Sequence, residues 1–177
     1  MADRHNLVAI LSDQQRYDTM ACYGNDWIQT PRLNALADES FVFEAPYVTQ
    51  PVCTPSRVSL LTGLYPHAAG PIMNKMPLDP DIPVIAEMVS EEYHCGYYGK
   101  WHLGDQEGFL PTDHGFDSYF GLPYSNDHYS RRPQEYRTHL PTRFSEHRFN
   151  PMPLMRNDRV SELEPDQTFL TKRYTEE

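Results

Sequence analysis

"QPVCTPSRVSLLTGLYPHAAG" (residues 50–70) runs from a short loop into a helix, with a cysteine at the junction. Thr54 is placed to cap that helix, and Pro55 suits its first position, where no backbone N–H is needed. Leu60 and Leu61 supply apolar weight before Gly63 closes the helix at about Thr62. A helix N-terminus carries unpaired N–H groups and a partial positive charge. Cys53 sits there, and Arg57, one turn along, can aim a guanidinium at the same anion.

The flanks of this helix set the fold class. On one side, "NLVAILSD" (6–13) is a continuous apolar run ending in Asp13, the pattern of a buried parallel strand. "TPRLNALADES" (30–40) reads as a helix with Thr30 as N-cap, Pro31 first, and Leu33, Leu36 and Ala37 on one face. "FVFEAPYV" (41–48) reads as a second strand. On the other side, "IPVIAEMVSEEY" (82–93) is helical and "HCGYYGKWHLG" (94–104) is a short strand breaking into a loop. The order gives an α/β domain, a mostly parallel sheet flanked by helices.

Residues 126–164, rich in Pro, Arg, His and Tyr without a period, read as an extended, loop-rich excursion of the same domain. Residues 165–177 begin a helix with Asp166 as its cap. Three recognisable strands are few for a parallel sheet, so residues 1–125 are expected to be the N-terminal part of a longer, here incomplete, domain.

The 16 prolines in 177 residues are well above the usual ~5%, which points to long rigid loops. A net charge of -10 disfavours nucleic acid and anionic membrane as generic partners. No stretch approaches the ~20 apolar residues of a membrane span. The first residues lead almost directly into the expected strand. A cytoplasmic location follows, or a periplasmic or secreted one where a leader has been removed. Cys22, Cys53 and Cys95 form neither a disulfide framework nor a zinc pattern, so at least one thiol needs its own reason.

Open parallel sheets collect ligands at the carboxyl ends of their strands. Three segments belong there: "LSDQQRYD", "CTPSRVSLLTG" and "GYYGKWHLG". Each alone has an ordinary structural reading, with Asp13 a cap, Cys53 a small buried hydrophobe, and Lys100 and His102 solvated loop residues. Together they describe more. Asp13 and Gln14 offer oxygen ligands to a calcium-like cation. Lys100 and His102, alternating in an extended segment, add a fixed charge and a titratable base on one side. A metal, a nucleophile, two cations and an imidazole suit a tetrahedral anion.

"CTPSRVSLLTG" resembles the sulfatase signature Cys-x-Pro-Ser-Arg-x-x-x-Leu-Thr-Gly at every defined position, and "GYYGKWHLG" resembles the second signature, Gly-Lys-Trp-His. "FLPTDHGFDSYFGLPYSND" (109–127) is similar to the segment that follows in arylsulfatase A-like members. The resemblance, over residues 7 to about 127, is to type I sulfatases of the alkaline phosphatase-like superfamily. It implies that Cys53 is oxidised to formylglycine by a formylglycine-generating enzyme that reads the proline and arginine. One hydroxyl of the resulting aldehyde hydrate attacks sulfur, and loss of the proton on the other releases sulfate.

By the same resemblance, Asp13 and Gln14 correspond to the first metal-ligand pair, with residue 53 beside them, on Ca2+ (or Mg2+ or Mn2+). Many members have Asp-Asp there, so Gln14 is a departure. Arg57 would steady the hydrate, Lys100 would bridge it to a sulfate oxygen, His102 would be the base for elimination, and Ser125 would touch substrate. The remaining metal ligands and a second histidine and lysine come from a later region in the family. His128, His139 and His147 read as loop residues, not replacements.

The implied reaction is sulfuric ester hydrolysis on a small sulfate ester or sulfated sugar. Two other readings share these residues: a phosphonate monoester hydrolase or phosphodiesterase with the same nucleophile, and a catalytically incompetent fragment.

Overall fold

The computed structural model describes residues 5–126 and 151–177, which fall into two compact units, Met1–Tyr47 and Val48–Glu177. The three loop histidines His128, His139 and His147, and most of the 126–164 excursion, lie outside the described residues.

In the first unit, two short 3-10 turns (Tyr17–Thr19 and Ala21–Tyr23) precede α1 (Pro31–Asp38). Thr30 precedes α1 as expected, but its hydroxyl does not cap. It accepts from the Ala21 N–H (3.2 Å) and donates to Asn34 Oδ1 (3.0 Å), tying α1 to the turn before it. Two expectations fail here. Residues 6–13 and 41–48 are not strands, and Leu7, Val8, Ile10 and Phe41 are exposed. An apolar run becomes a strand only when a second segment supplies its ladder, and none does among the described residues. No residue of α1 is buried either, so the apolar face expected of Leu33, Leu36 and Ala37 is uncovered.

The second unit holds α2 (Cys53–Thr62), α3 (Pro66–Ala69), α4 (Ile85–Val89) and α5 (Leu170–Glu176) around a four-stranded sheet. The strands are β1 (Gly96–Tyr98), β2 (Ser118–Gly121), β3 (Pro153–Arg156) and β4 (Arg159–Leu163), in that spatial order. β1 and β2 are parallel, whereas β2–β3 and β3–β4 are antiparallel. The described sheet is therefore mixed. The β3–β4 hairpin falls inside the segment read as irregular, because a two-residue turn at Asn157-Asp158 joins strands too short to show alternation in a charged sequence.

β2 is buried on both faces. Tyr119 packs into a cluster with Val58, Leu78, Val84, Trp101, Leu103, Leu110 and Met155. Phe120, its neighbour on the other face, joins Leu122, Leu154, Leu170 and Tyr174, which holds α5 to the sheet. Burial drives the Tyr174 phenol up to about 12. Asp166 caps not α5 itself but the 3-10 turn Gln167–Phe169 that leads into it, accepting from the Thr168 N–H at 3.0 Å. Parallel pairing continues past β1 through Gly99 N–H to Phe120 O (2.9 Å), Trp101 N–H to Leu122 O (2.9 Å) and His102 N–H to Pro123 O (3.0 Å). That continuation aims residues 100–102 at α2. It also explains Gly121, where a Cβ would lie 1.8 Å from the Gly99 carbonyl oxygen. No helix among the described residues is long and apolar enough to cross a membrane.

His114, at the end of the turn Pro111–His114, is fully buried, with its ring 5.7 Å from that of Trp101. Burial pushes its pKa below the ordinary 6.5, against the raising influence of Glu87 and Asp113. The folded state therefore binds this proton less readily than the unfolded chain. Its stabilising neutral form counts fully above pH 6.5 and is lost as pH falls from there through the lower folded value. We expect stability to drop across that window by up to about 1.4 kcal/mol per pH unit. In the full-length protein, His114→Phe should flatten the drop in denaturant titrations on either side of pH 6.5. An unchanged slope would rule His114 out as its source.

Candidate active site

α2 begins at Cys53 itself, with Val52 as an uncapped N-cap and Gly63 (φ 71) ending it by donating to Ser59 O at 2.9 Å. The expected cap at Thr54 is thus not formed, and Pro55 is the third helical residue. The Thr54 hydroxyl, fully buried, instead donates to the His102 carbonyl at 2.9 Å. The Thr54 N–H is taken by Asn74 Oδ1 at 3.0 Å, Pro55 has no N–H, and the Ser56 N–H returns to Val52 O at 3.0 Å. Few helix-end donors remain for an anion, contrary to the expectation for this terminus.

The charge comes from elsewhere. Lys100 Nζ donates to Cys53 Sγ at 3.2 Å. Arg57, only 7% exposed, does not direct Nη1 at an anion: that group donates to the Lys100 carbonyl (2.6 Å) and to the Tyr97 hydroxyl (3.0 Å). The Tyr97 hydroxyl donates to the same carbonyl at 2.8 Å. Two side chains thus hold the backbone of Lys100, and Lys100 holds the sulfur of Cys53. With two donors, the Lys100 carbonyl is well satisfied.

His102 is 1% exposed, with its ring 5.3 Å from Tyr124. Its expected alternation with Lys100 is not realised. β1 ends at Tyr98, and Gly99 (φ 114) and His102 (φ 64) both take positive φ, so the segment is not extended. What unites His102 with Cys53 is the Thr54 hydroxyl on its carbonyl. Ser125 is 7% exposed and lies two residues beyond Pro123, in the stretch whose Leu122 and Pro123 carbonyls accept from Trp101 and His102. Asp13 and Gln14 belong to the first unit, in a bend closed by the Gln15 N–H on the Asp13 carbonyl (2.9 Å), not at a strand end.

The described residues contain no cluster of three or more His, Cys, Asp or Glu able to hold a metal ion. Asp13 and Gln14 supply two adjacent oxygen donors, well short of the six to eight that calcium takes, so the residues present do not fit a complete cation site. Sequence reading missed Tyr97 and Asn74. Inward alternation in "GYY" gave a signal for Tyr97; Asn74 lies 20 residues from the N–H it accepts, and no local pattern marks it.

A family model described as Sulfatase matches residues 5–172. The chain is 38% identical over 133 residues to an ulvan-active sulfatase of Formosa agariphila, covering 72% of this chain and 26% of that protein. It is 37% identical over 132 residues to arylsulfatase A of Bos taurus, covering 69% and 26%. It thus spans about a quarter of the length of these curated relatives. Among solved structures, Ps i-CgsB superposes with a TM-score of 0.70 at 28% identity, covering 93% of this chain and 38% of that one. The same protein in complex with k-i-k-neocarrahexaose gives 0.66 at 28%, covering 89% and 36%.

Proposed function

Because the chain belongs to the sulfatase family, we propose that it carries the nucleophile segment of a sulfuric ester hydrolase. One observation carries the reading: the Lys100 ammonium lies 3.2 Å from the sulfur of Cys53 at the start of α2. A fixed cation at that distance attracts an anionic ester and stays to stabilise charge as the S–O bond breaks. Cys53 would hold the group as formylglycine, whose carbonyl hydrate would offer one hydroxyl for attack and a second for release. Arg57 and Tyr97 hold the Lys100 backbone, Thr54 holds that of His102, and His102 takes the proton whose loss frees sulfate. Ser125 contacts substrate.

The relatives named for ulvan and crystallised with neocarrahexaose favour a sulfated sugar as substrate. Mass spectrometry of the residue-53 peptide, with hydrolysis of an aryl sulfate measured against a phosphodiester, tests the proposal. An aldehyde at residue 53 with sulfate-ester turnover is expected. Preferential phosphodiester cleavage supports the phosphonate hydrolase reading, and an unmodified, inactive full-length protein the incompetent one.

Asp13 and Gln14 are proposed as two donors of a calcium site that the described residues do not complete. Calcium should accordingly bind the 177-residue chain only weakly in titration calorimetry. Tight stoichiometric binding would falsify the claim that ligands are missing.

A further inference from the structure

We propose that Tyr97 is a positioning residue that sets the Lys100 ammonium against residue 53. Its hydroxyl donates to the Lys100 carbonyl at 2.8 Å and accepts from Arg57 Nη1 at 3.0 Å, while Arg57 donates to that same carbonyl at 2.6 Å. The three groups close a ring of hydrogen bonds around one peptide. That peptide follows Gly99, whose positive φ leaves the chain outside regular strand geometry. Pairing of Gly99 and Trp101 with β2 and its continuation fixes the residues on either side, and the Tyr97–Arg57 pair takes up the carbonyl between them.

The hydroxyl is itself held in place. The Tyr97 ring sits edge-on to Trp101 at 5.0 Å and to Phe116 at 5.2 Å, and 6.1 Å from Tyr119. Strand alternation turns Tyr97 inward while Tyr98 is 47% exposed. Ring packing therefore fixes the hydroxyl, the hydroxyl fixes the carbonyl, and the carbonyl fixes where the lysine stem starts. A flexible four-carbon stem can reach many points, and a fixed origin narrows them.

The inference rests on reading Cys53 and Lys100 as a working pair, yet its test needs no turnover. The full-length protein is made in cells that leave residue 53 a cysteine. Alkylation of Cys53 by iodoacetamide at neutral pH is then followed by mass spectrometry of the residue-53 peptide, so that Cys22 and Cys95 do not contribute. An ammonium 3.2 Å from the sulfur speeds its attack on the reagent through their charge interaction. Lys100→Met should slow alkylation roughly fivefold. Tyr97→Phe, which keeps the packed ring, should slow it about two- to threefold. In the Lys100→Met background, Tyr97→Phe should have no further effect, because its influence passes through the amine. Wild-type rates in Tyr97→Phe, an equal slowing without the amine, or no effect of Lys100→Met would each overturn the proposal. An intact cycle in a protein that fails to hydrolyse sulfate esters after modification would instead count against the hydrolase reading alone.

Discussion

Cys53→Ala in the full-length enzyme is expected to abolish turnover, a loss of about 10⁴-fold or more, the scale on which removal of a covalent nucleophile acts. Lys100 and the bonds behind it would survive the change, so binding of an anionic substrate should persist while chemistry stops. The other thiols give the control. Cys22 is exposed, and Cys95 precedes β1, half-buried against the core, with its N–H donating to Asp117 Oδ2 at 2.6 Å. A backbone N–H is kept in Cys95→Ala, so that variant should lose some stability and retain its rate constant. Comparable turnover in wild type and Cys53→Ala would end the formylglycine reading.

Replacing His102 should separate the two halves of the reaction. Assigned to the proton whose loss releases sulfate, it is worth ~10²–10⁴ in rate. Asn is the informative substitute, since residue 102 sits at φ 64, a conformation that asparagine tolerates better than most residues. Attack on the ester does not need this proton, so His102→Asn should show a burst of about one equivalent of product and then slow turnover. The residue-53 peptide should gain the mass of a sulfuryl group during the slow phase. Slow turnover with neither burst nor added mass would move His102 to the first step.

The sequence made local features legible and left partnerships hidden. The helix at 53–62, its glycine stop, the helix at 31–38, the short strand at Gly96–Tyr98 and the Asp166 cap all depend on residues within a turn or two of each other. "NLVAILSD" failed as a strand because apolar content records a capacity for burial, whereas a strand needs a ladder that only tertiary structure supplies. Thr54 shows the same limit at the site. It has a capping side chain one residue from the helix start, and a carbonyl 48 residues away at His102 took its hydroxyl instead. Arg57 was read as an anion ligand because its charge is visible in sequence, but a carbonyl acceptor at Lys100 is not. The convergence of Cys53, Arg57, Lys100 and His102 was legible through their motifs; the hydrogen bonds that enforce it were not.

Once α2 docks, Thr54 and Pro55 are sealed and Arg57 is 7% exposed. If Cys53 is oxidised as proposed, an enzyme reading Pro55 and Arg57 would have to act on the chain before that event. Docking waits for Lys100, which leaves the ribosome 47 residues after Cys53. At about 5–20 residues per second, that separation takes roughly 2–9 s. A ten-residue helix is marginal by itself in water, so the stretch stays an open peptide through the interval. On that proposal, the length of chain between the two motifs would act as a clock for maturation. Slowing synthesis between residues 63 and 96 should raise the fraction of oxidised protein while leaving every contact of the folded site unchanged.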